Sequence, residues 1–509
     1  MTKAQVEPRR APPAGDTVAT LTRAVPRAID LNRVATRREH DLLGERDVPA
    51  EAYWGIHTLR AVENFPITGI PIGHFPELVR ALALVKQAAA RANQRLMQLA
   101  PEKAAAIDRA CDLIAKDGLF LDQFVVDAVQ GGAGTSTNMN ANEVVANLAL
   151  EFLGHARGEY HFLHPNDDVN MAQSTNDAYP TALRLALIFA TVPLVRALQE
   201  LAYAFKTKAV EFADVLKIGR TQLQDAVPMT LGQEFDAFHT TVKEDIDRLR
   251  EAAALFREVN LGATAIGTGI TADPRYASLA VEELAHISGE PMVLAANLIE
   301  ATSDMGAFVL FSGVLKRIAV KLSKICNDLR LLSSGPRGGF GEIRLPPVQA
   351  GSSIMPGKVN PVIPEVVSQV AYLVIGHDLT VTMCAEGGQL QLNAFEPTIG
   401  FSVLKSLRML RAAVETLTRR CVNGIEADRE RCLGLVENSI GLVTALGPVL
   451  GYETCSRIAR RALDERRRIA DIVLEEGLLA EARLNELLRL ETMTRPSRMV
   501  MAAVTKPKG

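Results

Sequence analysis

Four short segments of this sequence combine glycine, hydroxyl and amide residues at high density. They cover residues 131–142, 164–177, 219–225 and 351–360. Glycine lets backbone N–H groups approach an anion closely, and hydroxyl and amide side chains add neutral hydrogen-bond donors. The last segment also carries one ammonium group, that of Lys358. Such a set suits a small polyanion that is held by converging hydrogen bonds.

The segments are informative as a set, because each one alone could be an ordinary turn rich in Gly, Ser, Thr and Asn. Residues 351–365 read GSSIMPGKVNPVIPE, and this run resembles the signature of the aspartase/fumarase superfamily. The resemblance covers residues 38–509. Further blocks resemble the same family in the same order: GAGTSTNMNANEV (132–144), HPNDDVN (164–170), QSTNDAYPTALR (173–184), GRTQLQDAVPMTLGQEF (219–235) and VNLGATAIGTGI (259–270).

The resemblance implies an enzyme that eliminates a leaving group next to a carboxylate and so forms fumarate. Fumarases of the family typically carry histidine where this chain has Asp168 and Gln222, and they differ at residues 53–65, around His57. These positions resemble the branch that deaminates L-aspartate reversibly to fumarate and ammonia, a carbon–nitrogen lyase reaction. Two alternatives stay open: a class II fumarate hydratase, which forms fumarate from L-malate, and a non-catalytic structural relative.

The resemblance also implies roles for individual residues. Ser352 would be the base that removes the C3 proton, and Lys358 would help to stabilise its alkoxide, since a serine hydroxyl is too weakly acidic to react unaided. Gln222 is a neutral amide, so it would bind substrate without acting as an acid. The other implied contacts are Thr135, Ser174, Thr175 and Ser353 to the β-carboxylate, Lys358, Asn360 and Thr221 to the α-carboxylate, and Asn176 to the ammonium group.

No cofactor is required for such an elimination, because hydrogen bonds rather than an electron sink hold the intermediate. Members of the family are sometimes activated by a divalent cation such as Mg²⁺, and the sequence does not resolve whether this chain is. His161 and His164, with Asp167 and Asp168 nearby, do not amount to a complete ligand set. We therefore predict no metal site.

Long helical stretches must position these segments. They are rich in good helix formers, and apolar residues recur around much of their circumference. A helix that is apolar on several sides must be buried on several sides, which favours an elongated bundle completed by other subunits. The stretches are 181–217, 229–259, 302–334, 361–386 and 400–424.

These features predict a mainly α protein, and the resemblance implies a three-domain aspartase/fumarase-type fold. Its long central helical bundle would be shared in a homotetramer whose active sites combine loops of three subunits. The predicted divisions are a disordered leader at 1–37, an N-terminal domain at 38–175, the bundle at 176–430 and a small helical domain at 431–509. Residues 49–76 are broken by Pro and Gly and are expected to form short strands and loops.

Charge and composition exclude several other classes of protein. The net charge of -3 and the pI near 6.4 offer no attraction to nucleic acid or to an anionic membrane. The six cysteines form no CxxC pair, which indicates a reducing compartment and predicts a cytoplasmic protein. No uninterrupted apolar segment reaches the length of about 18 residues that is needed to span a bilayer. The predicted partner is thus the small-molecule substrate, L-aspartate or fumarate, without nucleic acid or membrane.

Overall fold

The computed structural model describes residues 34–496. Its strands are β1 (Thr36–Asp41), β2 (Gly44–Pro49), β3 (Leu216–Thr221), β4 (Gln224–Thr230), β5 (Glu258–Val259), β6 (Val293–Leu294), β7 (Ile343–Arg344) and β8 (Glu426–Ala427). Its helices are α1 (Ile56–Asn64), α2 (Pro76–Arg95), α3 (Pro101–Ala115), α4 (Thr135–Phe152), α5 (Thr175–Glu211), α6 (Leu231–Ala254), α7 (Tyr276–Ser288), α8 (Leu298–Ser303), α9 (Gly306–Leu332), α10 (Val362–Glu386), α11 (Glu396–Arg420), α12 (Arg429–Glu437), α13 (Val443–Leu450), α14 (Tyr452–Glu465), α15 (Ile469–Glu475), α16 (Glu481–Leu487) and α17 (Leu490–Thr494).

The prediction of a mainly α protein is confirmed. The five predicted long stretches correspond to α5, α6, α9, α10 and α11, and their ends differ from the predicted ends by at most six residues. Proline marks two helix starts, because Pro76 and Pro101 open α2 and α3, where the missing N–H costs nothing. Of the predicted leader, residues 1–33 lie outside the described residues, whereas Thr36 and Arg37 already pair in the β1–β2 hairpin.

The expectation of only short strands and loops in residues 49–76 is wrong for α1. Glu143, on α4, accepts hydrogen bonds from the backbone N–H groups of Gly55 (2.8 Å), His57 (2.8 Å) and Thr58 (3.1 Å). Glu39 accepts a further one from Ile56 (2.8 Å). Free N–H groups at the start of a helix need such partners. The cap comes from distant parts of the chain, so local sequence does not reveal the helix.

The contacts group the chain into two compact units. Unit 1 contains the chain up to Val192, Leu249–Leu315 and Gly376–Arg408. In it α2 packs against α3, α4 and α7, and most of α2 is buried, including Lys86. The antiparallel β1–β2 hairpin and the short parallel pair β5–β6 also belong to it.

Unit 2 contains Pro193–Arg248, Lys316–Ile375 and the chain from Met409 on. Its antiparallel β3–β4 hairpin contacts α12 and α17, and Ile218 of β3 joins an apolar cluster. The C-terminal helices therefore support the strand that leads to Thr221. The other members of the cluster include Val436, Leu446, Ile458, Ile472, Val473 and Leu484.

Helix α10 is buried along one stripe only. The buried positions lie along one stripe at helical spacing: Pro364, Val367, Ser368, Ala371, Val374, Asp378 and Val381. Other faces of the helix expose large apolar side chains in the single chain. These are Val366, Tyr372, Leu373, Leu379 and Met383, each 41–63 % exposed. The sequence prediction that such helices are apolar on more than one side is confirmed here.

Two helices of the described residues are long and apolar enough to cross a membrane by length and composition alone, α5 and α10. This finding concerns the average over a stretch of helix. The uninterrupted run of about 18 apolar residues that the sequence lacks is a stricter requirement, and charged residues such as Arg184 and Asp378 interrupt these two helices. In α5, 72 % of the apolar 18-residue stretch is buried inside the protein, whereas in α10 the corresponding share is 33 %.

Candidate active site

Two predicted substrate-binding segments of unit 1, 131–142 and 164–177, each contain the first residue of a helix. Thr135 opens α4 and Thr175 opens α5, so both lie where free N–H groups favour an anion. Gly134 must be glycine, because its φ is +91° and a Cβ there would lie 2.5 Å from the ring of Tyr179. Thr135 is exposed, and its hydroxyl donates to the backbone oxygen of Gly132 (2.7 Å).

Asp177 supports the predicted trio Ser174, Thr175 and Asn176, which directly precedes it in the chain. This buried carboxylate accepts from the N–H of Ser174 (3.0 Å) and from those of Gly262 (3.1 Å) and Thr264 (2.8 Å). Burial raises the pKa of Asp177 to about 7, against the lowering effect of its backbone hydrogen bonds. Asp177 thus couples the trio to the 259–270 block.

Asn176 is tied to the same block through its side chain and backbone. Its Nδ2 donates to the oxygen of Ala265 (2.7 Å), and Asn260 Nδ2 donates to the Asn176 backbone oxygen (3.0 Å). The 259–270 block contributes to the family resemblance, but the resemblance implies no role for its residues. Its contacts show that it supports the trio.

In unit 2 the β3–β4 turn carries Thr221 and Gln222. Gln222 and Leu223 have φ of 56° and 61°, as a tight two-residue hairpin turn requires. Thr221, Gln222 and Leu223 are all exposed. The turn therefore presents the two predicted binding residues at its tip.

Arg220 anchors this turn. Its Nη1 donates to Oε1 of the fully buried Glu342 (2.8 Å), and its guanidinium lies over the ring of Phe340, 4.1 Å from the centroid. Lys217 Nζ lies 3.2 Å from the other Glu342 oxygen and 2.7 Å from Glu234. Arg220 is thus an ion-pair partner of Glu342, a residue that the sequence alone did not single out.

Ser352 lies in a loop whose ends are bonded to each other. Gly351 N–H donates to the backbone oxygen of Lys358 (2.9 Å), and Asn360 Nδ2 donates to the backbone oxygen of Gly351 (2.6 Å). A Cβ on Gly351 would lie 2.2 Å from the Lys358 oxygen. Glycine is thus required where the loop closes, and Asn360 braces the closure.

Within that loop the Ser352 oxygen receives two backbone donors. The N–H groups of Ile354 (3.2 Å) and Met355 (3.0 Å) point at Oγ. Two donors on one hydroxyl oxygen stabilise negative charge there. Ser352 is partly exposed, and Ser353 and Lys358 are exposed, so the loop presents all three toward solvent in the single chain.

The predicted residues thus fall into two groups. Unit 1 carries Thr135 together with the trio Ser174, Thr175 and Asn176, and it joins that trio into one hydrogen-bonded arrangement. Unit 2 carries the rest: Thr221, Gln222, Ser352, Ser353, Lys358 and Asn360.

Among residues 34–496, no group of three or more His, Cys, Asp or Glu side chains is arranged to hold a metal ion. His164 Nδ1 instead accepts from the backbone N–H groups of Asn166 and Asp167 (both 3.2 Å). Asp168 is engaged by Lys103, whose Nζ lies 2.8 Å from both carboxylate oxygens. These residues support a turn and do not fit a metal site.

Comparison with known proteins gives matches over most of the chain. The lyase family model matches residues 44–376, and the model for the C-terminus of fumarase C matches residues 442–495. The aspartate ammonia-lyase of Pseudomonas aeruginosa is 64 % identical over 463 residues, which are 91 % of this chain and 98 % of that one. The aspartate ammonia-lyase of Escherichia coli K12 is 55 % identical over 461 residues, 91 % and 96 % of the two chains.

Solved structures show the same fold. A fumarate lyase:delta crystallin from Brucella melitensis bound to cobalt has a TM-score of 0.89 and 61 % identity, covering 91 % of this chain and all of that one. A class II fumarase from Schistosoma mansoni has a TM-score of 0.84 and 31 % identity, covering 90 % and 98 %.

Proposed function

The chain belongs to the lyase family that includes aspartate ammonia-lyases and class II fumarases, and on that premise we propose that it deaminates L-aspartate reversibly to fumarate and ammonia. It is then a carbon–nitrogen lyase. The identity of 64 % to an aspartate ammonia-lyase, against 31 % to a class II fumarase, supports the deaminating branch. Asp168 and Gln222 support the same choice, because each stands where fumarases typically carry histidine.

The proton at C3 is the difficult one to remove, because it lies next to a carboxylate that is already negative. Ser352 takes it as an alkoxide, and the C3–H electron pair moves into the β-carboxylate to form an aci-carboxylate with about two negative charges. The carbanion pair then forms the C2–C3 double bond and expels ammonia. Donors aimed at that carboxylate lower the barrier most.

The observation that carries this proposal is the pair of N–H groups on Ser352 Oγ, from Ile354 and Met355. These i+2 and i+3 contacts have the geometry of a serine turn. Both N–H groups also favour the alkoxide over the hydroxyl, because they donate to the oxygen that becomes negative. Lys358 lies in the same loop, and its positive charge binds the α-carboxylate of the substrate. Thr135, Ser174, Thr175 and Ser353 supply hydroxyl donors to the β-carboxylate, Asn360 and Thr221 bind the α-carboxylate, and Asn176 and Gln222 complete recognition of the substrate.

The test is to follow fumarate by its ultraviolet absorbance with L-aspartate and, separately, L-malate as substrate. Fumarate from L-aspartate and none from L-malate is the expected result. Fumarate from L-malate alone would assign the chain to the hydratase branch instead. No product from either would favour the non-catalytic alternative.

Assembly, compartment and cofactor requirement belong to the same proposal. A homotetramer with sites shared between three subunits suits the exposed position of Ser353, Lys358 and Thr221 in the single chain. The reaction requires no cofactor, and activation by a divalent cation stays a prediction, although the relative from Brucella melitensis is bound to cobalt in its crystal structure. A cytoplasmic location agrees with the six free cysteines.

A further inference from the structure

Lys86 is fully buried on α2, and its ammonium group points at three amide oxygens. Nζ donates to Asn138 Oδ1 (2.6 Å), Gln173 Oε1 (2.8 Å) and Asn170 Oδ1 (3.0 Å). An ammonium has three N–H donors and a neutral amine has two, so three acceptors select the charged form. Burial lowers the pKa of Lys86 to about 7, and the charge of Asp177 opposes that shift.

The contact with Lys86 decides which way the Asn138 side chain faces. A lysine can only donate, so the carbonyl oxygen of Asn138 must face Nζ and its NH₂ must face away. That NH₂ donates to Asn170 Oδ1 (3.1 Å) and to Thr175 Oγ1 (3.3 Å). Asn138 is itself 1 % exposed, so water does not offer an alternative arrangement.

Thr175 therefore receives a donor from inside the protein. Its hydroxyl oxygen accepts from Asn138, which leaves its own O–H free to donate elsewhere. Thr175 is half-buried at the start of α5, so the outward direction is open to a ligand. In this state the threonine O–H can donate to an acceptor, and a carboxylate, which only accepts, is such a group.

We propose that Lys86 is a positioning residue: by fixing the Asn138 amide, it makes the Thr175 hydroxyl a donor to the β-carboxylate of the substrate. This inference rests on the proposed function, because it takes the Thr175 contact with substrate from there. Lys86 touches neither substrate nor reacting atoms. Its effect passes through one hydrogen bond, that between Asn138 Nδ2 and Thr175 Oγ1.

The test uses three single variants, Thr175→Ala, Asn138→Asp and Lys86→Met. It also uses the two double variants in which Asn138→Asp or Lys86→Met is combined with Thr175→Ala. Asn138→Asp keeps the size of the side chain and adds an ion pair with Lys86, so the fold should persist. It replaces the NH₂ with an oxygen, which draws the Thr175 O–H inward. The readouts are KM for L-aspartate, kcat, and the dissociation constant of succinate, a dicarboxylate that cannot react.

Each single variant is expected to weaken succinate binding about 10- to 100-fold, the range for a hydrogen bond to a charged group. In the Thr175→Ala background, adding Asn138→Asp should change succinate binding by less than about 2-fold. The effects of two substitutions that act through the same hydrogen bond are not additive. Lys103→Met is the matched control: Lys103 bonds to Asp168 in the same 164–173 segment but not to Asn138. It should leave binding within about 2-fold of wild type.

Three results would overturn the inference. Asn138→Asp could bind succinate as wild type does, or its effect could multiply with that of Thr175→Ala, which would indicate an independent structural role. A wild-type enzyme that neither deaminates L-aspartate nor binds succinate would instead remove the proposed function, and this inference with it. Melting temperatures of all variants identify any loss of affinity that comes from unfolding.

Discussion

Ser352 and Ser353 are neighbours in sequence but have different surroundings. Ser352 Oγ accepts two backbone N–H groups and is less exposed than Ser353. We therefore assign the base to Ser352 and substrate binding to Ser353. A general base affects kcat, whereas a binding hydroxyl affects KM as well.

Ser352→Ala is expected to lower kcat at least about 10²-fold, the scale of a lost general base. Steady-state kinetics with L-aspartate measure it, and light scattering checks that the assembly is intact. Ser353→Ala is the matched control and should raise KM while retaining more of kcat. A Ser352→Ala enzyme with wild-type kcat would disprove the assignment of the base.

At the scale of the element, the conformation of the loop that carries Ser352 depends on the contact between its two ends. Gly351 approaches Lys358 so closely that a Cβ would lie 2.2 Å from the Lys358 backbone oxygen. Gly351→Ala is therefore expected to open the loop and to lower kcat/KM at least about 10-fold, since small misplacements of catalytic groups cost that much. Gly313→Ala in α9 meets nothing within 4 Å and should retain wild-type kinetics. Equal kinetics for both variants would show that the closure does not matter.

Helices α14 and α15 are joined by an arginine–glutamate network that should respond to acid. Hydrogen bonds from Arg457 and then Arg461 lower the pKa of Glu476 from 4.5 to about 2, with contacts of 2.7–2.8 Å. A carboxylate with a lowered folded-state pKa stabilises the fold above its unfolded pKa, and this stability is lost as the pH falls through the folded value.

Protection of α14 and α15 against hydrogen exchange, corrected for intrinsic rates, should therefore fall between about pH 4.5 and about pH 2. Salt should weaken the effect, because these charges are near the surface. Glu476→Gln should reduce the pH dependence, whereas Glu481→Gln, outside the network, should not. Protection that stays constant over this range would contradict the prediction.

At the scale of the whole molecule, α10 leaves a large apolar surface uncovered in the single chain. Only one stripe of it is buried, while Leu373 and Leu379 are 54 % and 63 % exposed. Contiguous apolar surface of this kind marks protein–protein contacts. Other copies of the chain are the proposed cover, in line with the proposed homotetramer.

The double variant Leu373→Glu, Leu379→Glu is expected to dissociate the assembly, because buried unpaired carboxylates are costly. Sedimentation velocity would show smaller species, and activity should fall with them if subunits share the sites. Leu42→Glu, at the fully exposed tip of the β1–β2 hairpin, is the control and should leave the assembly intact. An unchanged sedimentation coefficient for the double variant would exclude α10 from the interface.

Much of the fold could be predicted because the long helices depend on signals that lie within them. Proline at Pro76 and Pro101 marks helix starts, and apolar residues at helical spacing mark α5, α6, α9, α10 and α11. The turn at Gln222 and Leu223 gave no such signal, because neither residue is the Asn or Gly that usually adopts positive φ in a hairpin. Helix α1 was missed because its cap, Glu143, comes from more than 80 residues away.

By itself the sequence determined the family and a set of candidate residues, because the GSSIMPGKVNP run and its companion segments keep those residues at characteristic spacings. Only the tertiary structure decided what each polar group faces. Lys86 meets Asn138 across 52 residues, and Arg220 meets Glu342 across 122. Whether a buried group donates, accepts or carries charge depends on such partners. Local sequence determines helices and turns, and the packed chain determines the direction of the hydrogen bonds at the candidate site.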